Sequence, residues 1–450
     1  MNQQHPVIIV GGGLSGLSLG YALRQQGIPY RVLEASGRPG GVIKSLHIAG
    51  FELDAGPNSI AMSPALRAYF EGLGLQDRLV EASAASKHRY IVRNNQLHGI
   101  SPHPFKIIRS RFLSRNAKWR LFTEAFRKSA AAVPEETVAA FVERRFGKEI
   151  ATYVFDPVLS GIYAGNIARL SMQEVMPMLP AWEAQFGSVV KGLMKSKGAM
   201  GGRKIVTLRG GNAVLADQLG AALGKDLQLN AKVTGVWQAA EGNYELSVSV
   251  NGLVSTIRAS QVVFTTPAYA AAHVIETLDH PLAAVLRQIE YPAMGVLHLG
   301  YDKSALPAIP EGFGFLVPSA EQQHFLGLIY NSAIFPFKAP EGKLLFTVFT
   351  GGAQQQSLLQ QPAEVLQQQV IRDVNALLGI TVQPVLQHFQ VWEKAIPQLN
   401  VGYAEVRQKI AAFETAHPGL YLAGSYTQGV SVPNIIASAD KLADRIKAAQ

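Results

Sequence analysis

The apolar positions of this 450-residue chain change period several times, and each change predicts an element. Val7-Ile8-Ile9-Val10 is an unbroken apolar run of strand length that meets a glycine turn and opens into helical spacing. Tyr30-Arg31-Val32-Leu33 reads as a second strand, so residues 1–60 form a β-α-β start. Residues 61–86 read as helical, with Pro64 early and Gly72 and Gly74 near the stop. Helical periodicity with little strand signal runs over 105–200. Within it, 134–147 has Pro134, Glu135 and Glu136 at its start, Arg144 and Arg145 near its end and Gly147 as a stop. Strand character returns at 233–250 and at 261–267. Alternating segments at 293–300, 313–317, 325–330 and 344–350 predict a mostly antiparallel sheet. A Gln-rich helix follows at 361–378. A buried strand at 419–424 then feeds a turn and a final helix.

The first turn carries chemistry. Gly11 suits a tight turn, Gly13 lets backbone approach a pyrophosphate, and Gly16 lets the helix pack close to the strand. Leu14 and Ser15 open the helix, whose free N–H groups favour an anion. Glu34 ends the second strand, where a carboxylate holds a ribose hydroxyl pair. Strand, turn, helix, strand and acid in order predict a dinucleotide site. Residues 37–41, with Arg38 and the Gly40-Gly41 pair, supply a second close backbone approach and a charge, which suits FAD better than NAD. No second glycine fingerprint occurs. The expected enzyme therefore oxidises its substrate directly and passes electrons to oxygen or a quinone. At the far end, Gly424, Ser425, Val430, Ser431 and Val432 frame another glycine-rich turn into a helix, a dipole-positive site suited to the pyrimidine edge of a flavin.

Composition narrows the classes. Cysteine is absent, which excludes disulfides, iron–sulfur clusters and a thiol nucleophile. The eleven histidines form no HExxH pair or close cluster, so no metal is expected. Neither a signal peptide nor a membrane-spanning run is expected. The net charge of +9 is unevenly spread. Residues 87–128 hold eleven Lys and Arg against Glu124 alone, and residues 191–209 add six with no acid. Large apolar residues interleave with the first run: Phe105, Ile107, Ile108, Phe112, Leu113, Trp119, Leu121, Phe122 and Phe126. That mixture suits the surface of an anionic membrane, with a solvated basic face as the plain alternative and nucleic acid as the disfavoured one.

Five motifs carry a resemblance. They are Gly56-Pro57-Asn58-Ser59, Leu159 to Gly165 with Leu170-Ser171, Gly312 to Pro318, Trp392 to Gln398, and Gly429 to Pro433. On them the chain resembles, nearly end to end, the FAD-dependent protoporphyrinogen oxidases and the related coproporphyrinogen III oxidases. It departs from them at Ser425, where many relatives carry an acid, and at Ala437-Ser438-Ala439, where Glu-Ser-Gly is usual. The resemblance implies an α/β (α+β) architecture. A discontinuous Rossmann-type FAD domain (1–86, 205–270, 396–450) is joined by a helical, basic, membrane-facing domain (87–204) and a mixed-sheet substrate domain (271–395). It assigns Gly56, Pro57, Asn58, Ser59, Val233 and Trp392 to the cofactor along with the glycine turns. It places Asn58 near the reacting edge, Phe313, Leu316 and Phe349 on the substrate walls, and Gly161 where backbone approaches. Arg89 becomes the propionate-binding cation, with Arg93 as its fallback. The implied activity is oxidation of protoporphyrinogen IX, with coproporphyrinogen III as the rival substrate. Amine oxidation, carotenoid desaturation and a non-catalytic flavin adaptor are more distant readings. The expected setting is cytoplasmic, peripheral on the inner face of the membrane, with a homodimer left open.

Overall fold

A computed structural model describes residues 5–100, 110–127, 135–196, 204–239 and 242–449. Its centre is a five-stranded parallel sheet in the order 227–228, 30–33, 7–10, 261–264, 420–422. Strands from three distant parts of the chain thus share one sheet. Val7, Ile8 and Ile9 are fully buried because helices cover both faces, which is why the strand reads as an unbroken apolar run. The first helix, Leu14–Gln25, packs against the last, Val432–Ala448. Both follow parallel strands, so their N-termini emerge at the carboxyl edge of the sheet, where ligands of open α/β sheets bind.

A seven-stranded mixed sheet stands beside it, in the order 386–392, 294–302, 343–351, 327–329, 314–316, 89–93, 96–100. Its register splits its residues cleanly. Leu297, Leu299, Phe346 and Val348 form a core with Leu366, Val370 and Val374 of the helix Ala363–Leu378. Val296, His298, Thr347 and Phe349 alternate with them and face the other way.

Three sequence expectations are revised. The basic run begins in the mixed sheet, not in helices, because Arg89–Arg93 and Gln96–Ile100 form a hairpin. Asn94 and Asn95 both take positive φ at its two-residue turn, the arrangement of a type I′ hairpin. The 61–86 segment is α-helical only over Pro64–Gly72, with short 3-10 turns at Gln76–Arg78 and Ala84–Lys87, and contributes the strand Leu79–Glu81. The helix expected over 134–147 spans Val138–Arg145. Thr137 starts it by accepting the Ala140 N–H at 3.1 Å, while Pro134 lies outside the described residues.

Glu124, the lone acid of the basic run, is fully buried. It pairs with the buried Arg145 and accepts the Val189 and Val190 N–H groups at 3.0 and 3.1 Å. Desolvation pushes its carboxyl up, but hydrogen bonds from the Ser188 hydroxyl, Arg145 and the two backbone N–H groups hold it below the usual range. The acid therefore ties the helix Arg115–Thr123 to the helix Val189–Lys195.

Candidate active site

The first cluster of expected residues lies at the carboxyl edge of the parallel sheet. Gly11 has φ +110°, and a Cβ on Gly16 would stand 1.9 Å from Gly11 O, so any side chain there collides with the strand end. A Cβ on Gly13 would meet nothing within 4 Å. Open space therefore adjoins the helix N-terminus, beside Leu14 and Ser15. Gly40 forms a bridge to Gly13 and donates its N–H to Gly12 O at 2.8 Å. Gly41 lies against Gly13 Cα. Two stretches of bare backbone thus form one cradle. Glu34 accepts the Gly12 N–H at 2.6 Å and the Ser36 N–H at 2.8 Å, which aims its carboxylate along this edge. Each carboxylate oxygen keeps acceptor capacity for a hydroxyl. Val233 is buried on the strand Ala231–Gln238, whose first N–H reaches Glu34 O.

Arg38 also has partners within its own loop. Its guanidinium donates to the carbonyls of Pro39, Ile43 and Gly41, so it braces the loop that carries the glycine pair. The C-terminal turn has Gly424 and Gly429 at φ +121° and +92°, with the short helix Ser425–Gln428 between them. After Val430, Ser431 caps the last helix by accepting the Asn434 N–H, and Val432 is its first residue.

The second cluster lines a cavity of about 220 Å³. Arg89, Gly161, Phe313, Leu316 and Phe349 all border it, with Met294 and Ile329 among the residues not anticipated. The walls are apolar on the mixed-sheet side. The facing side is the helix Asp156–Tyr163, which follows a wider π-helical turn at Ala151–Phe155. A Cβ on Gly161 would stand 2.8 Å from Leu316 Cδ2, so this glycine makes room for the leucine wall. Arg89 is the one charged side chain among the described lining residues. It is exposed and stacks 5.3 Å from the Phe313 ring centroid. Arg93 is no substitute: it pairs with Glu149 at 2.7 Å and stacks on Tyr153.

Asn58 borders neither cluster directly. It is buried between them, donating to Asp54 O and Gly56 O at 3.1 Å and accepting from Asn331 Nδ2 at 2.9 Å. Pro57 and Ser59 flank it, and Trp392 donates to Ala55 O at 2.8 Å. No helix among the described residues is long and apolar enough to cross a membrane.

A sequence model of the flavin-containing amine oxidoreductases matches residues 14–447. The chain belongs to that family. It is 31% identical to protoporphyrinogen oxidase 2, chloroplastic/mitochondrial, of Arabidopsis thaliana, over 98% of this chain and 93% of that one. It is 24% identical to coproporphyrinogen III oxidase of Bacillus subtilis, over 96% and 95%. A crystal structure of an Exiguobacterium protein superimposes over 100% of both chains, with TM-score 0.84 and 24% identity, and so shares the fold. The family is flavin-containing, and the cofactor of this flavoenzyme is FAD. The open space at Gly13, the oriented Glu34 and the two helix N-termini fit it.

Proposed function

We propose that this flavoenzyme oxidises protoporphyrinogen IX to protoporphyrin IX, removing six electrons in three two-electron steps. One observation carries the reading: a largely apolar cavity with a single cation among its described lining residues, Arg89, stacked on its Phe313 wall. A porphyrinogen is a wide apolar macrocycle with carboxylates on one edge. Phe313, Leu316 and Phe349 would exclude water from the ring, and Arg89 would hold a propionate by a charge-assisted pair. Holding one edge of the ring binds the substrate equally well before and during each step. FAD held in the glycine cradle would supply the hydride acceptor, with oxygen or a quinone as the final acceptor of each electron pair. Each step also frees one proton, and over the three steps the ring loses four meso hydrogens and two pyrrole N–H hydrogens.

One cation on the described lining suits two propionates better than four, which favours protoporphyrinogen over coproporphyrinogen III. The relatives named for both substrates keep the second in play.

A membrane surface is the second element. Trp119, Phe122 and Phe126 are 65%, 66% and 81% exposed, and Met194 is 67% exposed on the helix that Glu124 binds. Arg111, Arg115, Lys191 and Lys195 surround them in exposed places. Phe112 and Leu113, by contrast, are buried. Exposed aromatics within a basic field support peripheral contact with anionic lipid. Phe105, Ile107, Ile108, Lys106, Arg109, Lys128, Lys197 and Arg203 lie outside the described residues.

The test is incubation in air with each porphyrinogen, following porphyrin fluorescence. A faster rise with protoporphyrinogen IX than with coproporphyrinogen III is expected. No rise above the uncatalysed rate with either would sink the proposal.

A further inference from the structure

Four successive carbonyls, from Asp54 to Pro57, each accept a hydrogen bond from a side chain. Asp54 O takes His298 Nε2 and Asn58 Nδ2, both at 3.1 Å. Ala55 O takes Trp392 Nε1 at 2.8 Å, Gly56 O takes Asn58 Nδ2 at 3.1 Å, and Pro57 O takes Asn212 Nδ2 at 2.8 Å. The donors come from four separate parts of the chain. In a planar trans peptide the N–H points away from its carbonyl. The Gly56 N–H therefore lies opposite Ala55 O, and the Asn58 N–H opposite Pro57 O. Neither finds a protein acceptor among the described residues, although backbone donors are nearly always paired.

Behind the carbonyls lies a buried ion pair. Lys338 is fully buried and its Nζ binds Asp54 Oδ2, itself 2% exposed. Asp54 also accepts from Ser45 Oγ and from the Asn212 N–H at 2.8 Å. Asn331 fixes Asn58 from the other side. Burial pushes the His298 imidazole down to about 4, so it serves Asp54 O as a neutral donor. A buried ion pair is a poor source of net stability, since desolvation offsets most of the attraction. The strict geometry it imposes is the more telling consequence.

Location gives that geometry a purpose. A Cβ on Gly56 would stand 2.4 Å from Val42 O, so the loop rests on the segment that carries Gly40 and Gly41. Its other side meets His298 and Asn331, beside the sheet face that holds Phe349. The loop thus lies on the route from the dinucleotide cradle to the cavity, which the redox ring must follow.

We propose that Lys338 and Asp54 are positioning residues that, with Asn212 and Trp392, hold the 54–58 loop so that the Gly56 and Asn58 N–H groups face the flavin ring and raise its reduction potential. Reduced flavin carries negative charge, and preorganised N–H dipoles favour the form that carries it. This rests on the FAD assignment and not on the identity of the substrate.

The test is a redox titration of the purified holoenzyme against a reference dye, with no porphyrinogen present. The Asp54→Asn/Lys338→Met double variant removes both charges and leaves no buried ion unpaired. Trp392→Phe removes only the bond to Ala55 O and keeps the ring packing. The expected result for the double variant is stoichiometric FAD, a shifted flavin absorbance band and a weaker preference for reduced flavin by about tenfold, ~30 mV for a two-electron couple. Trp392→Phe is expected to move the potential the same way by a smaller step. Potentials equal to wild type in Trp392→Phe and in a folded double variant would overturn the proposal. If the double variant does not fold, Trp392→Phe alone decides. A wild-type protein that purifies without flavin and takes up none would overturn the cofactor assignment as well.

Discussion

Replacing Arg89 by Ala removes the one charge on the described cavity lining while leaving the apolar walls in place. Its guanidinium is exposed and makes no ion pair among the described residues; Phe313 is its ring contact. The fold should therefore lose little, within about 0.5 kcal/mol for a surface change. Substrate should lose more. A hydrogen bond to a charged group contributes about 1.5–3 kcal/mol, and the Phe313 wall shields this one from part of the solvent. That corresponds to roughly a 10- to 150-fold fall in kcat/KM. The bond forms far from the reacting carbon and is as strong before the step as during it. The loss should appear in KM, with kcat nearly unchanged. Arg89→Lys should fall between, since it keeps the charge and loses the fork. Rising salt should raise KM for wild type more than for Arg89→Ala. The assay is initial porphyrin fluorescence over a substrate series, with flavin absorbance as the control for the cofactor site. An unchanged KM in Arg89→Ala, or a fall in kcat alone, would refute the role.

Other consequences follow from the same geometry. Gly16→Ala places a methyl 1.9 Å from Gly11 O, so purified protein should carry little FAD or fail to accumulate, as absorbance and yield will report. Phe126→Asp with Trp119→Ser should reduce flotation with anionic liposomes while activity on detergent-dispersed substrate persists; equal flotation would contradict the lipid surface. His298 is neutral in the fold, its pKa pushed down to about 4 from 6.5 by burial, with the Asp54–Lys338 pair and His388 facing it. The unfolded chain binds the extra proton between those values, so stability should be full above about pH 6.5 and fall as pH drops toward 4, by about 3 kcal/mol. His298→Gln should flatten that part of the curve of Tm against pH.

Local features were legible in the sequence. Gly11, Gly13, Gly16 and Glu34 lie within one β-α-β unit, so spacing alone brought them together. The antiparallel strands near 294–302 and 343–351 announced themselves by alternation. The Arg89–Ile100 hairpin was hidden by its charges, although Asn94-Asn95 between alternating segments was a usable turn signal. Arg93 and Arg89 looked alike in sequence. Glu149, 56 residues away, separates them by taking Arg93 into an ion pair. The Lys338–Asp54 pair spans 284 residues and has no local signature, because a buried lysine and an exposed one read the same until the fold places them.

Anaerobic mixing of the holoenzyme with protoporphyrinogen IX tests the central claim most directly. Bleaching of the flavin absorbance is the expected result, since one flavin takes two of the six electrons; admitting oxygen should restore the absorbance and raise porphyrin fluorescence. A flavin that stays oxidised under excess protoporphyrinogen IX, while an amine or another porphyrinogen bleaches it, would contradict the assignment.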